Sequence, residues 1–370
     1  MKKLEILYIS KSRYLSLHFL NGWKNCFLHL GYKFKHIQCD QVKQINEYLD
    51  ENEVDYIFTY SNEGLKNLSY KKLNKKKIKL IVGALPFNKL NISFDVHCPL
   101  IDEDEIKILE NVEEKLAWSQ HEPEFNDFFY SGFLERSISI IYLPHCADIT
   151  RKIEPIKQKE LNFDLFYVGN IGHKKNNIQL LKNILSKTDK NRIKIIGDKY
   201  WYDKFNIETQ EAKYNENWEK FYSQSLISLN FHSKRQKFHN LLINDRTFHI
   251  PIFGGFQICD NLLARKFFKD DELIIANNDR DYLDVYEYFR KNYEERHKYI
   301  VKGFNRVIKD HSYFNRWYSI LDHFSEYNSK NDNSLKDNPK KKLNHSDIAF
   351  YYLESKLYNI AKKIKSWMKN

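Results

Sequence analysis

The sequence predicts an α/β protein built from two strand–helix series, and three observations predict it. Short apolar runs of β type alternate with stretches whose apolar residues recur near every 3.6 positions, the pattern of a parallel sheet covered by helices on both faces. The alternation starts at Leu4, breaks at a polar, proline-containing segment from Cys146 to Lys159, and restarts at Phe163. The length of 370 residues exceeds what one core usually fills, which favours two domains.

In the first series LEILYIS (Leu4 to Ser10) reads as a strand. A helical pattern follows from about Tyr14, with Leu17, Leu20, Trp23 and Phe27 on one face and Gly31 at its end. KFKHIQCD is a second strand, QVKQINEYLDENE a helix, and VDYIFTYS (Val54 to Ser61) a third strand. IKLIVGAL (Ile78 to Leu85), KLAWSQ (Lys115 to Gln120) and SISIIYLPH (Ser137 to His145) complete the set. The second series holds the strands FDLFYVGN (Phe163 to Asn170), RIKIIGD (Arg192 to Asp198), SLISLNFH (Ser225 to His232), FGGFQICD and DELIIANN. NNIQLLKNILSK is its amphipathic helix, and further helices run to about Phe324. Each series is a doubly wound, Rossmann-like unit. The expected domains are residues 1–150, residues 151–325, and a tail of residues 326–370.

Composition narrows the partners. The net charge is +11, but residues 326–370 hold ten lysines against five acidic residues, so the body is only mildly basic. No Lys/Arg stripe with interleaved aromatics runs through the body, which ranks a nucleic-acid or polyanion binding module below an enzyme. The five cysteines are widely spaced with no CxxC pair, against a disulfide framework or a zinc site. No HxH or HExxH arrangement occurs, and no metal or cofactor is expected. The N-terminal apolar run is cut by Glu5, unlike a signal peptide, and no stretch is long enough to span a bilayer. The expectation is a cytoplasmic protein.

Two stretches carry chemistry. FYVGNIGHKKNN sets Gly169 and Asn170 at the end of a strand, with Gly172, Lys174 and Lys175 opening the next helix. Ligands of open α/β sheets bind outside the carboxyl ends of the strands, and a helix N-terminus with two lysines suits a diphosphate. INDRTFHIPIFGGFQICDN places Arg246 and His249 in a helix leading to Pro251, after which Gly254 and Gly255 turn the chain into a strand. With only 11 glycines in the chain, an adjacent pair marks a tight turn or a close backbone approach by a helix or a ligand, which makes Gly254 and Gly255 candidate donor-binding residues. Arg246 is the best residue for a charge-assisted contact to phosphate.

The order of motifs over residues 137–322 resembles the CgeB-like glycosyltransferases, a branch with the GT-B fold. The likeness rests on YLPHCAD, FYVGNIG, SLNFH, INDRTFHIPIFGGFQICDN, FFKDDELIIAN and the helical YEERHKYIVKGFNRVIKDHSYFNRWYSIL. It implies two Rossmann-like domains facing a cleft, with a nucleotide-sugar donor on the C-terminal domain, the acceptor on the N-terminal one, and usually no metal. By that resemblance Gly169, Asn170, Lys174 or Lys175 and Arg246 contact the donor diphosphate. Many relatives carry Glu where His249 stands, a residue that binds the nucleotide ribose; imidazole offers one acceptor fewer. No acidic residue after the glycine turn matches that of retaining relatives, which leaves donor identity and stereochemical outcome open.

The reading is therefore a glycosyltransferase acting on a glycan, lipid-linked or protein acceptor, with a nucleotide-sugar epimerase of the same fold as the alternative enzyme. An inverting transferase needs a base on the acceptor side. His18, Glu63, Asp95 and His121 are the candidates, of which Glu63 and His121 follow strand ends. In the tail, Ser346 can cap a helix whose Leu353, Leu357, Ile360, Ile364 and Trp367 form one stripe flanked by lysines. Such a helix suits an anionic membrane surface, placing the enzyme peripherally on the inner face, or a homo-oligomer contact.

Overall fold

The computed structural model describes residues 3–11, 14–62, 64–92, 100–155, 161–170, 177–210 and 218–324, with backbone only at 14–18 and at 239. The chain divides into two compact units, with the division between Leu143 and Pro144.

The first unit holds six strands: β1 (Glu5–Ser10), β2 (Lys33–Gln38), β3 (Tyr56–Thr59), β4 (Lys79–Gly83), β5 (Lys115–Ser119) and β6 (Ile140–Tyr142). They pair in parallel in the order β2-β1-β3-β4-β5-β6. Every residue of β1 and of β3 is buried, as expected of central strands covered on both faces. That is why their sequences are apolar runs and do not alternate. The helix Val42–Glu51 covers the sheet with Ile45 and Leu49. The helix Glu103–Asn111 begins at a capping box, with Asp102 and Glu105 each accepting a backbone N–H of the other.

The second unit holds β7 (Phe163–Val168), β8 (Ile193–Ile196), β9 (Ser225–Asn230), β10 (Gln257–Cys259) and β11 (Ile274–Ile275). Its order, again all parallel, is β11-β10-β9-β7-β8. The core gathers Tyr167, Trp201, Phe231, Phe256, Tyr282 and Tyr286 with the aliphatic residues of the central strands. The helix Ile178–Ser186 buries Leu180, Leu181 and Ile184 against it. Two long helices, Asp279–Lys291 and Tyr293–Asp310, and a third, Tyr313–His323, complete the unit.

The segment after Pro144 is fastened to those last helices. Arg316 donates Nε to the Pro144 carbonyl at 2.9 Å and Nη2 to that of His145 at 3.2 Å. Ala147 N–H reaches the His311 carbonyl at 2.9 Å. The expected tail helix lies outside the described residues. No described helix is long and apolar enough to cross a membrane.

Candidate functional site

Parallel α/β sheets form a crevice where strands next to each other in the sheet connect away in opposite directions, at the carboxyl ends. In the second unit β8 lies to one side of β7, and β9, β10 and β11 lie to the other. The crevice is between β7 and β9. Arg246, at the start of the helix Arg246–Ile252, fills it. Nη1 donates to the carbonyl of Val168, at the end of β7, at 3.1 Å, and Nη2 to that of Phe231, just past β9, at 2.8 Å. The guanidinium lies 5.5 Å over the Tyr167 ring, a cation–π contact.

Two of its five N–H bonds are thus used on backbone. Nε is buried and has no partner among the described residues. Nor does any described carboxylate pair with the guanidinium at ion-pair distance. Burial works against this cation, but Tyr167, Asp245, Tyr222 and Asp260 outweigh it and hold the guanidinium's pKa above its usual value. The result is a half-buried positive charge, held rigidly between two strand ends, with N–H groups left for an anion.

The backbone makes room for it. Gly169 has φ +139°, and a Cβ there would stand 3.0 Å from Arg246 Nη1. Gly197, after β8, packs so tightly that a Cβ would meet the Gly169 carbonyl oxygen at 2.5 Å. Trp201 locks the same carbonyl with an Nε1–H bond of 3.1 Å.

Beside Arg246 stands a second polar group that sequence reasoning left without a role, although His232 and Asp260 lie in the quoted stretches SLNFH and INDRTFHIPIFGGFQICDN. Asp260 Oδ1 accepts from the backbone N–H and Nδ1 of His232, both at 2.8 Å, and Oδ2 accepts from Lys237 Nζ at 3.0 Å. Burial alone would raise the Asp260 pKa, but the bonds from His232 and Lys237 hold it below the usual carboxylate value. His232 Nε2 accepts the Asn244 N–H at 3.1 Å. With Nδ1 donating and Nε2 accepting, the network assigns a neutral ring, suited to positioning. Beneath it Asn230 bonds Thr247 at 2.9 Å and Gln257 at 2.8 Å, and Asn244 bonds Asn230 at 2.8 Å. These buried amides fix the loop that delivers Arg246. A polar residue directly after each apolar strand run is the signal that could have found them.

The remaining expected residues fall elsewhere. His249 is buried in the same helix, its ring meeting Phe253 at 6.4 Å. Gly254 and Gly255 precede β10 and so lie at its amino end, away from Arg246. Gly254 has φ +69°, with the Ile153 carbonyl 3.2 Å from where a Cβ would be, and a Cβ at Gly255 would meet Ile250 and Tyr222 at 2.9 Å. The pair is a packing turn in this geometry. Asn170 is exposed after β7, while Gly172, Lys174 and Lys175 lie outside the described residues.

In the first unit His121 follows β5 and is buried. Nδ1 lies 2.8 Å from the Tyr130 hydroxyl, and its backbone N–H donates to Ser119 Oγ at 3.0 Å. Glu63 and Asp95 lie outside the described residues, and of His18 only the backbone, in the helix Tyr14–His29, is described. In the same unit the buried Glu105 accepts from Asn62 Nδ2, and burial raises its pKa. Among the described residues, no group of three or more His, Cys, Asp or Glu side chains is placed to hold a metal.

Comparisons with known proteins bear on the family and the fold. Residues 175–322 match the family described as glycosyl transferase-like. No curated protein matches the chain. Among solved structures, Anabaena HepE in complex with UDP-glucose is 8% identical, covering 88% of this chain and 100% of its own at a TM-score of 0.52. The S. aureus MnaA-UDP structure is 8% identical, covering 89% of this chain and 99% of its own at a TM-score of 0.50. At such identity the likeness is one of fold. The chain carries a glycosyl transferase-like domain within a GT-B fold of two parallel Rossmann-like sheets.

Proposed function

We propose that the protein transfers a sugar from a nucleotide-sugar donor, seated at the carboxyl ends of β7 and β9, to a hydroxyl acceptor. The observation that carries this reading is Arg246: a half-buried cation in the crevice between two strands, without a described counter-ion. Asp245 and Asp260 help to offset its burial, but its buried Nε still lacks an acceptor among the described residues. The diphosphate of a nucleotide sugar supplies one with the right reach.

In the reaction the bond from the sugar's anomeric carbon to the diphosphate oxygen breaks and a bond to the acceptor oxygen forms. Negative charge grows on the leaving diphosphate as this happens, and Arg246 stabilises it where it develops. That role can be filled without a metal. The acceptor hydroxyl gives up its proton to a base. Gly169 lets the ligand approach the backbone, and Asn170, Gly172, Lys174 and Lys175 belong to the same corner in the reading. The motif order over residues 137–322 favours the CgeB-like branch. The lysine-rich segment 346–370 favours a lipid-linked acceptor at an anionic membrane surface.

A panel of nucleotide sugars tests this directly. At a hundredfold excess over its dissociation constant the true donor stabilises the fold by about 2.7 kcal/mol, visible as a rise in melting temperature. Absence of any such rise, together with absence of nucleotide release on adding acceptors, would sink the proposal.

A further inference from the structure

Asp198 is the first side chain past β8 that has room to project, since Gly197 before it is packed against the Gly169 carbonyl. Gly169 links it to Arg246: a Gly197 Cβ would lie 2.5 Å from the Gly169 carbonyl oxygen, and a Gly169 Cβ 3.0 Å from Arg246 Nη1. Its Oδ1 is buried with no hydrogen-bond partner, and no described cation pairs with the carboxylate. Its backbone carbonyl is occupied, accepting the Trp201 N–H at 3.3 Å, so the residue is held in place while its buried Oδ1 lacks a donor. A buried acceptor is rarely left so.

We infer that Asp198 binds hydroxyls of the donor, accepting hydrogen bonds from the sugar ring next to the diphosphate held by Arg246; this rests on the donor reading above. The chemistry follows from the pair of charges. A second cation beside Arg246 would compete for the diphosphate, whereas neutral hydroxyls satisfy the carboxylate and leave the guanidinium's charge for phosphate. Two rings of a nucleotide sugar flank the diphosphate, the ribose and the transferred sugar, and both present hydroxyls. A merely local role also exists for an acidic residue here, ahead of the short helix Tyr200–Phe205. That role would affect every ligand alike.

The test measures affinities of the full chain and of Asp198→Ala for uridine diphosphate, 2′,3′-dideoxyuridine diphosphate, UDP-glucose and its dideoxyribose form. Asp198→Ala is expected to weaken at least one hydroxyl-bearing ligand about tenfold, roughly 1.4 kcal/mol, and to bind the dideoxy diphosphate as the parent does. A penalty on uridine diphosphate assigns the ribose; one confined to the two glucose-bearing ligands assigns the transferred sugar. Asp198→Asn, which keeps an acceptor oxygen, should recover part of the loss. Equal affinities of parent and variant for all four ligands would overturn the inference, as would an equal penalty on all four. If the parent binds none of them while another nucleotide sugar stabilises it, the uridine series is replaced by that nucleotide's. If the parent binds no nucleotide at all, the donor reading falls and this inference with it.

Discussion

The two units share an architecture but not a chemistry. Each is a parallel sheet with a crevice at its carboxyl ends, between β1 and β3 in one and between β7 and β9 in the other. In the second unit that crevice is occupied by Arg246, with Asp260, His232 and Lys237 beside it. In the first, the described polar groups near the carboxyl ends bond one another, His121 with Tyr130 and Ser119 and Glu105 with Asn62 and the backbone of Asp102, while Thr59 Oγ1 and Asn62 Oδ1 are buried without a partner among the described residues. A topological crevice is therefore only an opportunity for an anion site. It becomes one where a side chain brings a buried cation with N–H groups to spare into it.

The sharpest way to break this contrast is at Asp260. Asp260→Ala removes the acceptor of both His232 donors and of Lys237, and should cost about 4 kcal/mol of stability. Hydrogen exchange should show the loss in the second unit and leave β1 and β3 unaltered. Uniform loss over both units would mean they do not fold as separate bodies.

Acid and base should separate the units next. His311, closed in by Phe248, Phe267 and Phe268, is pushed by burial from 6.5 down to about 4. Below its ordinary pKa the unfolded chain takes a proton that the folded chain refuses. The second unit should thus lose stability as pH falls from 6.5 to about 4, by on the order of 3 kcal/mol. Glu105 is shifted the other way, raised by burial above its ordinary 4.5. Its contribution in the first unit is present at low pH and is lost as pH rises through the carboxylate range. Urea titrations at several pH values, read by exchange in each unit, measure both slopes; in His311→Phe the acid slope of the second unit should flatten.

Arg246→Ala comes third. Donor affinity should fall by about 1.5–3 kcal/mol, the usual value of a hydrogen bond to a charged group, and calorimetry with the stabilising nucleotide sugar measures it. Lysine should not restore it, because an ammonium cannot hold two strand ends and a phosphate in one plane. Unchanged affinity in the alanine variant would place the donor elsewhere.

The smallest effect is expected at the glycine turn. Gly254→Ala forces an L-residue into left-handed backbone, costing roughly 1–2 kcal/mol, while donor affinity stays as it was. A drop in affinity without a drop in stability would return the glycine pair to the binding site.

Much of this was legible along the chain. Every described strand lies within a segment read as one; the central ones stand out because a parallel strand buried on both faces needs an unbroken apolar run. Arg246 could be singled out from its place before a glycine turn. The glycines themselves illustrate the limit: their adjacency announces a tight turn, but which end of β10 the turn serves depends on where the strand starts and what packs on it. Asp198, Asp260 and His232 sat in plain view after strand runs, yet nothing local distinguishes an acid that meets a histidine from one that meets no donor.

What the sequence determined by itself was the set of elements and their parallel, two-unit grouping, since residue periodicity, caps and breaks act over a few positions. The tertiary structure alone decided the strand order, and with it the crevice. It also decided that Arg246 reaches the carbonyl of Val168, 78 positions away. Such contacts depend on how separate runs pair and stack, and any of these apolar strands could have paired with another at similar gain. Only the completed sheet selects which strand ends a single guanidinium can join.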